Sequence, residues 1–116
     1  MYDDIAQLLL DHGANPDEQN EYGWTSLHVT SERGRVKVVQ LLLDRGANVN
    51  TQSMDLRTPL HRAAYYGRLQ VAKVLLEHGA DLHIRDEQGK TPSQLVLKNY
   101  YNELAQLLSE RTSEGT

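Results

Sequence analysis

Arg57-Thr58-Pro59-Leu60-His61-Arg62-Ala63-Ala64-Tyr65-Tyr66-Gly67, followed by Leu75-Leu76-Glu77-His78-Gly79-Ala80-Asp81, is the stretch that decides the fold. Thr58 is a good helix N-cap, and Pro59 suits the first helical position, where its missing N–H costs nothing. The pattern predicts a two-turn helix over 59–66 that stops at Gly67, the residue best able to take a left-handed conformation. A second helix is expected over 69–78, where Val71, Ala72, Val74, Leu75 and Leu76 make an apolar stripe of helical period before Gly79. The polar stretch from 80 to 89 ends in a turn-forming Gly and reads as an extended hairpin leading to Thr91.

Working outward, the same pattern recurs at a spacing of 33 residues without insertion or deletion. Gly13, Gly46 and Gly79 align, as do Ala14, Ala47 and Ala80, and Thr25, Thr58 and Thr91. Leu9, Leu42, Leu75 and Leu108 coincide, with the pairs Leu27/Leu60, His28/His61 and Gly34/Gly67. A fixed period in this range marks a solenoid, in which each unit buries its apolar face against its neighbours. Thr-Pro-Leu-His and the Gly-Ala-Asp/Asn endings at this period resemble the ankyrin repeat, over essentially the whole chain. The resemblance implies an all-α repeat, an α-solenoid of helix-turn-helix units joined by β-hairpin loops. It predicts a single domain over 1–116, with a partial repeat at 1–19, full repeats at 20–52 and 53–85, and a C-terminal capping repeat with a frayed tail at 86–116.

Departures from the pattern carry their own expectations. Ser26 stands for the Pro and Thr30-Ser31 for the Ala-Ala in one unit, and Leu56 replaces the hairpin Gly in the next, so a distorted hairpin tip is expected near Leu56. In the last unit Ser93, Gln94 and Tyr100 replace Leu, His and Gly. Met1 aligns with Gly34 and Gly67, leaving the leading unit a lone second-type helix. Its Ile5, Leu8, Leu9 and Leu10 lack an upstream neighbour, so fraying or self-association through this open face is expected.

Composition narrows the function. With 39% hydrophobic and 6% aromatic residues and no Phe, any core is aliphatic. A net charge of −4 with interspersed signs gives no basic stripe for nucleic acid or anionic membrane. The absence of Cys excludes disulfides, thiol catalysis and zinc fingers. No apolar run approaches the roughly 20 residues of a membrane span, and the acidic start is unlike a signal peptide, so an intracellular location, cytoplasmic or nuclear, is expected.

No constellation supports catalysis, and the protein is expected not to be an enzyme. His28 and His61 occupy one repeat position and have no partner at ligand spacing; the resemblance implies that they bind neighbouring hairpin backbone. Ser26 and His28, two apart at a helix start, cannot face each other. The glycines form no phosphate-binding loop, so no cofactor and no metal are implied.

What varies on this constant framework is surface. By the resemblance, hairpin tips and first helices line a concave groove for a partner protein, which places Tyr22, Trp24 and Arg33 there from one unit. Met54, Asp55, Arg57, Arg62, Tyr65 and Tyr66 come from the next, and Arg85 and Lys90 from the last, with Lys98 and Asn99 beyond them. Trp, Tyr and Arg are enriched at binding hot spots, so a protein-interaction module is the expected function. Arg33, Arg57 and Arg62 point to an extended or helical partner segment with acidic and apolar residues. The rival reading is a structural segment of a longer solenoid without its own ligand. Stacked aromatics beside arginines raise single-stranded nucleic acid as a third reading, which the negative charge disfavours.

Overall fold

A computed structural model describes residues 12–97 and 100–114. The expected leading helix, its open face, and the groove positions Lys98 and Asn99 lie outside the described residues. Six helices follow: α1 (Ser26–Glu32), α2 (Val36–Asp44), α3 (Pro59–Tyr65), α4 (Leu69–Glu77), α5 (Pro92–Leu95) and α6 (Asn102–Glu114). First helices begin at 26, 59 and 92 and second helices at 36, 69 and 102, so the 33-residue period of the sequence survives unbroken in space.

The starts of α1 and α3 are fixed by reciprocal caps. Thr25 and Thr58 are extended, and each side chain accepts the N–H of the His three residues on, while that His accepts the Thr N–H. The helix α5 is cut to four residues because Val96 leaves helical geometry at φ −67°, ψ 134°.

First helices α1, α3 and α5 pack side by side in one layer, and α2, α4 and α6 form the second. The core between them is aliphatic, as composition requires. Leu27 and Leu60 come from the first layer, Val39, Leu42, Val71, Leu75, Leu104 and Leu108 from the second, all at most 3% exposed. Ala63 and Ala64 let the layers approach closely, since larger side chains there would overfill the interface.

The connecting segments correct the expectation of β-hairpins. Among the described residues there is no strand. Each connection ends in a five-residue finger closed by one backbone bond, Asn20 N–H to Trp24 O, Ser53 N–H to Arg57 O and Asp86 N–H to Lys90 O. Adjacent fingers are joined by single backbone bonds, Met54 N–H to Tyr22 O and Glu87 N–H to Asp55 O, both 2.9 Å. One bond per finger pair is too few for a ladder.

The fingertip at Leu56 also differs from expectation, because it is undistorted. Leu56 adopts φ 63°, the left-handed region, while the corresponding Gly23 and Gly89 have φ 77° and 80°. All three donate the same turn bond at 2.9 Å, Leu56 N–H to Ser53 O among them. The leucine is forced into the glycine conformation by its neighbours.

Candidate protein-binding surface

The fingers are organised by one polar residue at their first position. Asn20 Oδ1 accepts the N–H groups of Tyr22 and Trp24 at 2.9 and 3.0 Å, and Asp86 Oδ1 accepts those of Gln88 and Lys90, both at 2.9 Å. Ser53 holds the middle finger, its hydroxyl donating to Asp55. Such side chains mimic a backbone turn and so pre-shape the tip. Asp86 is buried, and its Oδ2 accepts Arg57 Nε at 3.3 Å, tying two fingers together. Burial alone would raise the Asp86 carboxyl. The Lys90 N–H, the Arg57 side chain and the Gln88 N–H outweigh it and hold the group below its ordinary value. Asp55 is lowered likewise, burial being outweighed by the Ser53 hydroxyl and the Arg57 charge.

Each finger is then locked to the helix before it. The Nδ1 of His28 accepts the Thr25 N–H at 3.1 Å, which assigns the ring proton to Nε2, 2.8 Å from Arg57 O in the next finger. His61 repeats this with Thr58 at 3.0 Å and Lys90 O at 2.8 Å. Burial lowers the basicity of both rings, although the carbonyl each one faces opposes the shift. These are neutral structural links.

Above this framework lies a continuous run of rings. Tyr22 and Trp24 lie 6.1 Å apart, tilted by 48°, and the Arg62 guanidinium sits 4.3 Å from the Trp24 ring centre. Arg62 also lies 5.9 Å from the Tyr66 ring, which meets Tyr65 edge-on at 5.0 Å. Arg62 reaches back to the preceding unit, its Nη2 2.5 Å from Glu32 Oε1. The pair is a charge contact without hydrogen-bond alignment, since Glu32 Oε1 and Arg62 Nε have no hydrogen-bond partner among the described residues. One buried cation thus positions rings from two repeats, a cation–π arrangement strengthened by its desolvation.

A sequence model of ankyrin repeats, in three copies, matches residues 1–86. The chain belongs to the ankyrin-repeat family. Ankyrin repeats are generally protein–protein interaction modules and generally not enzymes. A search of curated proteins returns no match to this chain. The α5–α6 pair lies past the matched residues and still stacks on the ankyrin units through α3 and α4.

Within this ankyrin stack the anticipated surface residues divide. Tyr22, Trp24, Arg62, Tyr65 and Tyr66 come together as one cluster, with Tyr65 47% and Tyr66 39% exposed. Met54, 73% exposed, adjoins it through its bond to Tyr22 O. Arg33 is exposed at the end of α1. Arg62 requires correction: it is only 9% exposed, because Trp24 and Tyr66 cover it and Glu32 neutralises it. Arg57 is half-buried between Asp55 and Asp86, while Asp55 stays partly open to solvent, around a hollow of about 130 Å³ shared with Glu87 and Gln88. Arg85, just before the third finger, donates from Nη1 to its Gly89 O, as Gln19 and Gln52 donate from Nε2 to Gly23 O and Leu56 O of the fingers they precede. Lys90 keeps an exposed side chain while its backbone holds His61 and Asp86.

Asp86 is the organising residue that sequence reasoning missed. Its signal was its alignment with Asn20 and Ser53, three turn-formers each placed three residues before the positive-φ position. Among the described residues no group of His, Asp and Glu could hold a metal ion, and no helix is long and apolar enough to cross a membrane.

Proposed function

We propose that this ankyrin-repeat chain binds a partner protein through the face built by its fingers and first helices. The units at 20–52, 53–85 and 86–116 act in this reading as parts of one domain. The observation that carries it is the ring cluster, in which a buried Arg62 lies between Trp24 and Tyr66, and the exposed Tyr22 and half-exposed Tyr65 extend the run on either side. A solenoid needs only its aliphatic core for stacking; large rings held partly in solvent serve contact with something else. One finding favours the rival structural reading, the engagement of Arg57 and Arg62 in pairs that link successive units.

The two readings separate by mutation. Tyr65→Ala or Tyr66→Ala should weaken partner binding by about 2 kcal/mol with little change in melting temperature. Leu75→Ala, in a fully buried position, should cost roughly 2 to 5 kcal/mol of stability and leave the affinity of the folded protein unchanged. Affinity and urea unfolding measured on all three variants decide. Tyrosine variants that bind normally but unfold early would make these rings packing residues.

A further inference from the structure

We infer that the ligand of this surface is an extended, uncharged, proline-bearing segment of the partner, an inference that rests on the binding reading above and specifies its chemistry. Charge comes first. Of the three arginines expected to meet a partner's carboxylates, Arg57 and Arg62 are paired internally with Asp86 and Glu32, at 3.3 and 2.5 Å. The aromatic run therefore presents rings whose central cation is already neutralised. An acidic segment gains little from the rings, and the cations left exposed among the anticipated contact residues, Arg33, Arg85 and Lys90, are too few to offset the phosphates of a nucleic acid.

The rings are also rich in donors. The Trp24 indole N–H and the hydroxyls of Tyr22, Tyr65 and Tyr66 make no hydrogen bond among the described residues. A helical ligand has already committed its carbonyls internally, whereas a polyproline-type segment leaves every carbonyl open. The rings are tilted by 48° in one pair and meet edge-on at 73° in the other, so they offer ring faces and edges in turn rather than one flat platform, as aromatic surfaces that take proline rings do.

Leu56 supplies an independent observation. It holds a strained left-handed backbone where the other two fingers have Gly, yet its side chain is 46% exposed, beside the still more exposed Met54. Packing does not explain an apolar side chain kept in solvent at a conformational cost. Contact with an apolar ligand at the fingertips does.

The test is selection of random short peptides displayed against the wild-type chain, with affinities then measured by fluorescence anisotropy for wild type, Tyr66→Ala and Leu56→Gly. The expected result is enrichment of uncharged sequences with repeated proline, bound with little salt dependence and weakened about tenfold or more by Tyr66→Ala. Leu56→Gly should weaken binding severalfold while melting no earlier than wild type, which separates contact from folding. Enrichment of acidic or proline-free sequences sensitive to Tyr66→Ala would overturn this ligand chemistry and leave the binding reading standing. Peptides insensitive to both substitutions, or no enrichment at all, would also overturn it, and the tyrosine and Leu75 comparison above would then judge the binding reading alone.

Discussion

At the residue scale, two positions carry a cost that a single substitution should relieve. Leu56 sits at φ 63°, where an L side chain costs about 1 to 2 kcal/mol, while glycine loses about 0.5 to 1 kcal/mol through its freer unfolded chain. Leu56→Gly should therefore stabilise the fold by up to about 1 kcal/mol, because the half-exposed side chain contributes little packing. Urea unfolding giving a lower midpoint would refute the strain. Ser31 is fully buried and its Oγ has no hydrogen-bond partner among the described residues, whereas Ala64 fills the same place one repeat later. Ser31→Ala should add about 1 kcal/mol by removing an unpaired buried hydroxyl. Its neighbour Thr30 differs, since its Oγ1 donates to Ser26 O at 2.8 Å, and Thr30→Ala should show no comparable gain. Neither outcome was readable from the sequence. The exchange of Ala-Ala for Thr-Ser and of Gly for Leu was visible, but which hydroxyl finds a carbonyl depends on rotamers set by packing.

At the scale of elements, the link between a first helix and the following finger is an imidazole that must stay neutral. His28 and His61 are depressed below their ordinary value near 6.5. Above that pH neither folded nor unfolded chain is protonated there, and the full contribution is present. As pH falls below about 6.5 the unfolded chain takes up protons that the folded chain refuses, so stability declines toward the folded value. Loss from Asp55 and Asp86, also depressed, begins only near their ordinary 3.8 and is a separate acid step. His61→Gln should keep the cap, as Gln94 Oε1 accepts the Thr91 N–H at 2.9 Å, while removing that site's titration. The fall in unfolding free energy between pH 7.5 and 5.5 should then be shallower than in wild type. Equal slopes would show that His61 does not titrate with folding. The helix starts, the ends of α3 and α4 and the histidine position were legible in the sequence, because caps are local and recur with the repeat, whereas the early end of α5 at Leu95 was not. The fate of Arg62 was not, since its burial needs Trp24 and Glu32 from the preceding unit and Tyr66 from its own. At the level of sequence it reads as a charged residue on an exposed helix face.

At the scale of the molecule, three helix pairs stack into a body of 40 × 25 × 24 Å, and packing runs chiefly between neighbours. The middle pair, α3 and α4, has partners on both sides, while α5 and α6 rest on one. Stability in such an array is close to a sum of unit and interface terms, so damage should stay local at the end and spread from the middle. Leu108→Ala, removing a fully buried side chain of α6, should speed amide hydrogen exchange in α5 and α6 far more than in α3. Leu75→Ala should speed it throughout. Uniform acceleration by both would mean that the stack opens as one unit. The family, the period and the aliphatic core could be read from the chain because they repeat. The binding surface could be read only in part, because it is made of the positions that do not.

The placement of Trp24 has a spectroscopic consequence. As the sole indole, lying beneath a guanidinium from the next repeat, it makes the intrinsic emission of the protein a reporter of one interface alone, that between the first two helix pairs. Circular dichroism sums over all helices. If the stack melts from its C-terminal end, the dichroic transition will precede the fluorescence transition, and the gap between the curves measures how weakly adjacent pairs are coupled.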